Sequence, residues 1–186
     1  MKTRLIAISG KFGTGKDTLV SALEKYLQEK EIEFIHCKFA KALKDSAAII
    51  LGMKVEDMYT DEGKSKYIPT LDMTVGRFQQ IYGTEMRKHI HNDIWVFPVI
   101  NTYLDNVGKV ILISDCRFPN EADTIKKYGG IIIRLERDSS KINTNGRDPY
   151  HISETALDDY GDFDLVIENN GTKEEMIDKA FAYLSV

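Results

Sequence analysis

Short apolar runs recur along the chain, most of them rich in β-branched residues and each bounded by turn residues or charges. Leu5–Ser9, Val110–Ser114, Ile131–Leu135 and Leu165–Glu168 read as buried strands, with Glu33–Cys37 as a weaker fifth. Helical spacing fills the gaps. Lys16–Lys30 sets Leu19, Leu23, Tyr26 and Leu27 on one stripe, and Phe39–Leu51, Val75–His89, Asp93–Leu104 and Glu121–Tyr128 are further helices. A last helix, Lys173–Leu184, is preceded by Thr172 and carries Glu175 at capping-box spacing. Strands that run continuously apolar, rather than alternating, are covered on both faces. The pattern therefore predicts an α/β fold of three layers, a central parallel five-stranded sheet with helices on both sides.

Two polar stretches break the rhythm, Tyr59–Asp72 and Asp138–Tyr150. In a compact domain, polar stretches of this length are disordered or functional, and the second has the position of a short lid spanning about residues 137–152. The 186 residues suit one domain, with a helical region over about 39–104 for an acceptor substrate.

Composition narrows the partners. Lys and Arg total 25 against 29 Asp and Glu, a net charge of −4, which argues against long nucleic acid as a ligand. A local basic pocket for a small anion remains open. Cys37 and Cys116 have neither CxxC nor metal-ligand spacing and read as buried free thiols. With no secretory signal and no run near the ~20 apolar residues of a membrane span, the expectation is a cytoplasmic protein without a membrane partner.

The chemistry is announced directly after the first strand by GKFGTGKDT, Gly10 to Thr18, leading into a helix. This is the G-x-x-x-x-G-K spacing of a phosphate-binding loop. Glycines let successive N–H groups turn inward around a phosphate, the helix N-terminus adds partial positive charge, and Lys16 reaches the β- and γ-phosphates. Gly10, Lys11, Gly13, Thr14, Gly15, Lys16, Asp17 and Thr18 are thus the candidate residues for ATP. Where a Ser or Thr usually follows the lysine stands Asp17, then Thr18, and either can serve Mg²⁺. The apolar run VILISDCR ends in Asp115, the position of a magnesium-organising carboxylate, with Arg117 at the same edge. No NKxD element of a switch GTPase is present, which leaves a small-molecule kinase as the class.

GKFGTGKDT, TVGRFQQIYGTEMRKHIHNDIW, SDCRFPNEADTIKKYGG and HISE together resemble the phage- and virus-type deoxynucleoside monophosphate kinases. The resemblance covers nearly the whole chain. It implies a P-loop kinase fold, transfer of the ATP γ-phosphate to a deoxynucleoside 5′-monophosphate, action in the host cytoplasm, and a possible homodimer. On the helix Val75–His89, Arg77 or Arg87 would hold the acceptor phosphate, and Gln80, Thr84 and Glu85 would meet base or sugar. Phe78, Ile81 and Met86 would face the core. Trp95 reads as a core anchor or a stacking platform. His151 and Glu154 of HISE count as substrate residues by resemblance alone. Arg134, Arg137 and Arg147 flank or lie in the polar stretch, and a cation there would stabilise the transferring phosphoryl group by a factor of ~10³–10⁵. Asn170 and Gly171, after the last strand, would border the adenine. Rivals are a phosphomevalonate- or dephospho-coenzyme-A-type kinase and a nucleotide-binding module without turnover.

Overall fold

The apolar runs pair side by side, all in parallel, in a computed structural model that describes residues 4–138 and 152–184. In chain order the elements begin with β1 (Arg4–Gly10), α1 (Lys16–Glu29), β2 (Phe34–Cys37) and α2 (Phe39–Leu51). Next come α3 (Asp61–Ser65), β3 (Tyr67–Ile68), β4 (Met73–Thr74), α4 (Val75–His89) and α5 (Phe97–Asp105). The chain closes with β5 (Val110–Cys116), α6 (Pro119–Lys127), β6 (Ile131–Glu136), α7 (Ile152–Thr155), β7 (Leu165–Glu168) and α8 (Lys173–Leu184). Two compact units result, one from the segments up to Lys38 and from Thr102 onward, the other from Phe39–Asn101.

The first unit holds the five-stranded sheet in the order β2-β5-β1-β6-β7. Alternate residues of its strands serve its two faces. Ile6 and Ile8 of β1, Leu112 of β5, Leu135 of β6 and Ile167 of β7 pack with Leu19 and Leu23 of α1 and Ala180 of α8. The opposite face buries Ala7, Ile111, Ile113 and Ile132, none of them measurably exposed, and α6 contributes Ala122 and Ile125 in the same state. Each buried leucine or isoleucine contributes ~1.5–3 kcal/mol by leaving water. Because β1 lies between β5 and β6, the direction in which the sheet is built reverses there. In open parallel sheets the crevice at the carboxyl end of such a strand is where ligands bind.

The second unit has its own small core of Ala47, Ala48, Met58 and Val75, with Phe78 and Tyr82 packed against it. The stretch Tyr59–Asp72 is not irregular: Thr60 Oγ1 accepts the Gly63 N–H at 3.0 Å and caps α3, and β3 pairs antiparallel with β4. Gly63 is required there, because a Cβ would stand 2.1 Å from the Asp57 carbonyl oxygen. On α4 the fully buried positions are Val75, Gln79 and Gly83, while the expected Phe78, Ile81 and Met86 are half-buried and Phe78 packs against the small core. Gln79 Nε2 donates to the Met58 carbonyl (3.1 Å), and Gly83 lets Leu43 close in, so packing overrides side-chain polarity. The helix expected from Asp93 starts four residues later, at Phe97. Residues 93–96 form turns, with the Val96 N–H on the Asp93 carbonyl at 2.8 Å, and Pro98 suits a first helical turn.

Candidate active site

The loop after β1 carries the geometry that its glycines anticipate. Gly10 has φ +146°, and a Cβ there would lie 2.6 Å from both the Leu135 carbonyl oxygen and Thr14 Oγ1. Gly15, with φ +98°, is the residue before α1. Side-chain donors take up several of the loop's carbonyls. Thr14 Oγ1 and Lys16 Nζ donate to the Lys11 carbonyl (2.9 and 2.7 Å), Arg137 Nη1 donates to that of Gly13 (3.4 Å), and Asn169 Nδ2 donates to that of Thr14 (2.9 Å). The first N–H groups of α1 have no intrahelical acceptor and point with the helix dipole toward the same side. The arrangement is a receptor for an anion.

Lys16 is the charge at its centre. Burial, and then the Arg117 guanidinium, push its pKa down to about 8, against the opposing pull of Glu154 and Asp17. A bound phosphate would bring the lysine an opposite charge. Arg117 follows β5 and is aimed by two acidic side chains. Buried Glu121 accepts the Arg117 and Phe118 N–H groups through Oε2 at 2.8 and 3.1 Å, which fixes the turn into α6. Glu154 on α7 receives Arg117 Nη1 on one oxygen and the Phe12 N–H on the other, at 2.6 Å. Arg117 Nη1 also donates to the Ser153 carbonyl at 3.1 Å.

Glu154 therefore touches the phosphate loop itself, a placement that the HISE motif gave no means of reading. Glu154 was expected as a substrate residue by resemblance, whereas Asp158, Glu121 and Asn169 were not among the expected site residues. Asp158 accepts Lys11 Nζ at 2.7 Å, and Asn169 spans from the end of β7 to the loop. Asn170 Oδ1 accepts the Asp138 N–H at 2.9 Å. Beside Gly171, Thr172 and Glu175 exchange their capping bonds at 3.2 Å, as their spacing predicts.

For a magnesium ion the donors are of the right kind. Asp17 and Thr18 are exposed on the first turn of α1, and Asp115 is half-buried near the end of β5 beside the loop-bearing strand. Mg²⁺ at a phosphate site keeps waters and phosphate oxygens and needs only one or two protein carboxylates. These oxygens fit that demand.

In the second unit, α4 presents Arg77, Gln80, Thr84 and Glu85 on its exposed side, with Arg87 half-buried. Arg77, Gln80, Thr84 and Arg87 fall along one stripe at helical spacing. Glu85 turns to His89, 3.0 Å away. Trp95 is 5% exposed, its Nε1–H donates to the Gly83 carbonyl at 3.1 Å, and its ring meets Tyr82 edge-on. Its indole is thus engaged within this unit's packing, as a core anchor. Arg147 and His151, and most of the expected lid, lie outside the described residues.

A parallel sheet with reversed order about β1, a glycine-rich anion loop, a lysine of lowered pKa and an arginine at the next strand end define a phosphate-loop phosphotransferase core. Solved kinases share this fold. A gluconokinase from Sinorhizobium meliloti 1021 superposes with TM-score 0.53 at 14% identity, over 98% of this chain and 91% of the other. A shikimate kinase from Aquifex aeolicus vf5 does so with TM-score 0.50 at 14% identity, over 97% and 96%. The model of the deoxynucleotide monophosphate kinase family matches residues 51–180. A protein of Acanthamoeba polyphaga mimivirus, provisionally designated a deoxynucleotide monophosphate kinase, is 30% identical over 92% of this chain and 91% of its own length. The chain belongs to the deoxynucleotide monophosphate kinase family. Among the described residues, no helix is long and apolar enough to cross a membrane.

Proposed function

We propose that the protein transfers the γ-phosphoryl group of ATP to a deoxynucleoside 5′-monophosphate, giving ADP and the diphosphate. The observation that carries this reading is the Gly10–Thr18 loop with Lys16 half-buried at its centre, in a chain of this family. An oxygen of the acceptor phosphate attacks the γ-phosphorus, and the bond from that phosphorus to the β-bridging oxygen breaks. The loop amides and Lys16 hold the β- and γ-phosphates. Arg117 and Arg137 meet the charge spread over the transferring group, and no covalent enzyme intermediate is needed. Asp115 with Asp17 or Thr18 would hold magnesium, which would supply positive charge against the phosphates. Arg77 or Arg87 binds the acceptor phosphate, while Gln80, Thr84 and Glu85 read sugar or base. Asn170 and Gly171 border the adenine. We place the protein's action in the host cytoplasm, a reading that the viral relative supports.

A coupled assay for ADP, run with each deoxynucleoside monophosphate, separates the readings. Turnover is expected with at least one of them, and none with mevalonate phosphate or dephospho-coenzyme A. Nucleotide binding without ADP formation for any acceptor would make the protein a non-catalytic module.

The depressed pKa of Lys16 sets a pH profile. The loop needs the ammonium form, which the free protein loses as pH rises through about 8. Thus kcat/KM for ATP, which reports the free enzyme, is expected to fall on the alkaline side of about pH 8 and to level off roughly one pH unit below it. A profile flat to pH 10 would contradict this.

A further inference from the structure

Behind the phosphate loop stands a basic side chain that the transfer reaction does not touch. Arg134 of β6 is 5% exposed, and its guanidinium is fixed rather than free to swing. Nη1 donates to Ser9 Oγ at 3.2 Å, and Ser9 immediately precedes the loop's first glycine. Nη2 donates to Asp158 Oδ1 at 3.2 Å, and the other oxygen of that carboxylate holds the Lys11 ammonium at 2.7 Å. The ring of Phe163 lies 5.5 Å from the guanidinium carbon. Nε makes no hydrogen bond among the described residues and lies 3.8 Å from Glu136 Oε1.

A buried arginine with one donor unmatched is a poor device for stability. Apolar residues of similar volume commonly serve a core as well or better. What this arginine does accomplish is geometric. From one rigid, planar group it reaches the strand residue where the loop begins and, through one carboxylate, the loop's second residue.

We propose that Arg134 is a positioning residue for nucleotide binding: through Ser9 and Asp158 it holds the strand–loop junction and Lys11, and so keeps the phosphate loop in its anion-accepting shape before the nucleotide arrives. The proposal rests on the reading of this loop as the ATP site. Its second consequence is electrical. The fixed charge of Arg134 is among those that lower the pKa of Lys16.

The test compares wild type, Arg134→Gln, Arg134→Lys and Asp158→Asn by calorimetric titration with ATP, by melting temperature and, for enzymes that turn over, by kcat/KM for ATP against pH. Arg134→Gln is expected to weaken ATP binding about tenfold or more, the order of one charge-assisted contact, and to move the alkaline limb to higher pH because a cation near Lys16 is gone. Arg134→Lys keeps the charge and loses the two-pronged grip, so its affinity falls while its limb stays in place. Asp158→Asn, at a half-exposed position, also weakens ATP. Folded variants with a lower melting temperature but wild-type ATP affinity and an unmoved limb would overturn the proposal. Should Arg134→Gln fail to fold, wild-type affinity in both other variants overturns it. A wild type that binds ATP but phosphorylates no deoxynucleotide refutes the acceptor reading and leaves the binding series to decide this one. A wild type that binds no ATP overturns both.

Discussion

Lys16→Ala is expected to lower kcat by at least ~10²–10³-fold, the usual cost of removing one preorganised charge from a developing anion, while the protein stays folded. The second half of that expectation follows from the pKa. A lysine whose folded pKa lies near 8, below its ordinary 10.5, is held charged at neutral pH against the preference of its surroundings. That cost to the fold is present in full below about pH 8 and relieved as pH rises toward 10.5. Removing the ammonium removes the cost. The nucleotide-free variant should therefore melt at the wild-type temperature or above it at pH 7, and nucleotide should raise its melting point far less than that of wild type. Assayed side by side, ADP formation and thermal unfolding check both halves. Substantial ATP-dependent transfer by Lys16→Ala would overturn the assignment of the loop.

Gly15→Ala should damage the site from the backbone. Its φ of +98° is strained for any residue with a Cβ, and the new methyl would sit 2.5 Å from Asn169 Nδ2 and 3.3 Å from Met176 Sδ. Asn169 would have to withdraw from the Thr14 carbonyl that it holds at 2.9 Å. Strain of about 1–3 kcal/mol together with a buried hydrogen bond worth about 1 kcal/mol puts the loss of stability at roughly 2–4 kcal/mol. ATP affinity should fall by ~10²-fold or more, since the amides on either side of Gly15 turn with it. Urea unfolding and calorimetry measure the two effects. Adding Asn169→Ala to Gly15→Ala relieves the clash but not the φ strain, so it should return part of the stability and little of the affinity. Full recovery of both would refute the backbone argument.

The strands were legible because a parallel sheet covered on both faces leaves no room for polar alternation, and Leu165–Glu168 was found to the residue. The phosphate loop was legible because glycine spacing and chain order are local. What stayed hidden was whatever depends on distant partners. IIIRLE reads as a strand, but nothing in it pairs Arg134 with Asp158, 24 positions on. HISE matched a family pattern, yet its purpose appears only when Glu154 meets the Phe12 amide across 142 positions. A five-residue helix such as α3 has too few turns to show a period. Burial of Gln79 and Gly83 runs against residue type, since what buries them is a carbonyl of Met58 and the reach of Leu43.

The strand order has a consequence for the birth of the protein. β1, which carries the loop, is flanked by β5 and β6, whose residues begin at Val110 and Ile131. A ribosome adding about 5–20 residues per second therefore extrudes one of the chain's most apolar strands many seconds before either neighbour exists. The Phe39–Asn101 unit, with a core of its own, emerges in that interval. The nascent protein thus passes through a stage in which Phe39–Asn101 has emerged whole while β1 stands as an open edge. At that stage the apolar run Leu5–Ile8 is an unpaired edge of the kind that chaperones cover.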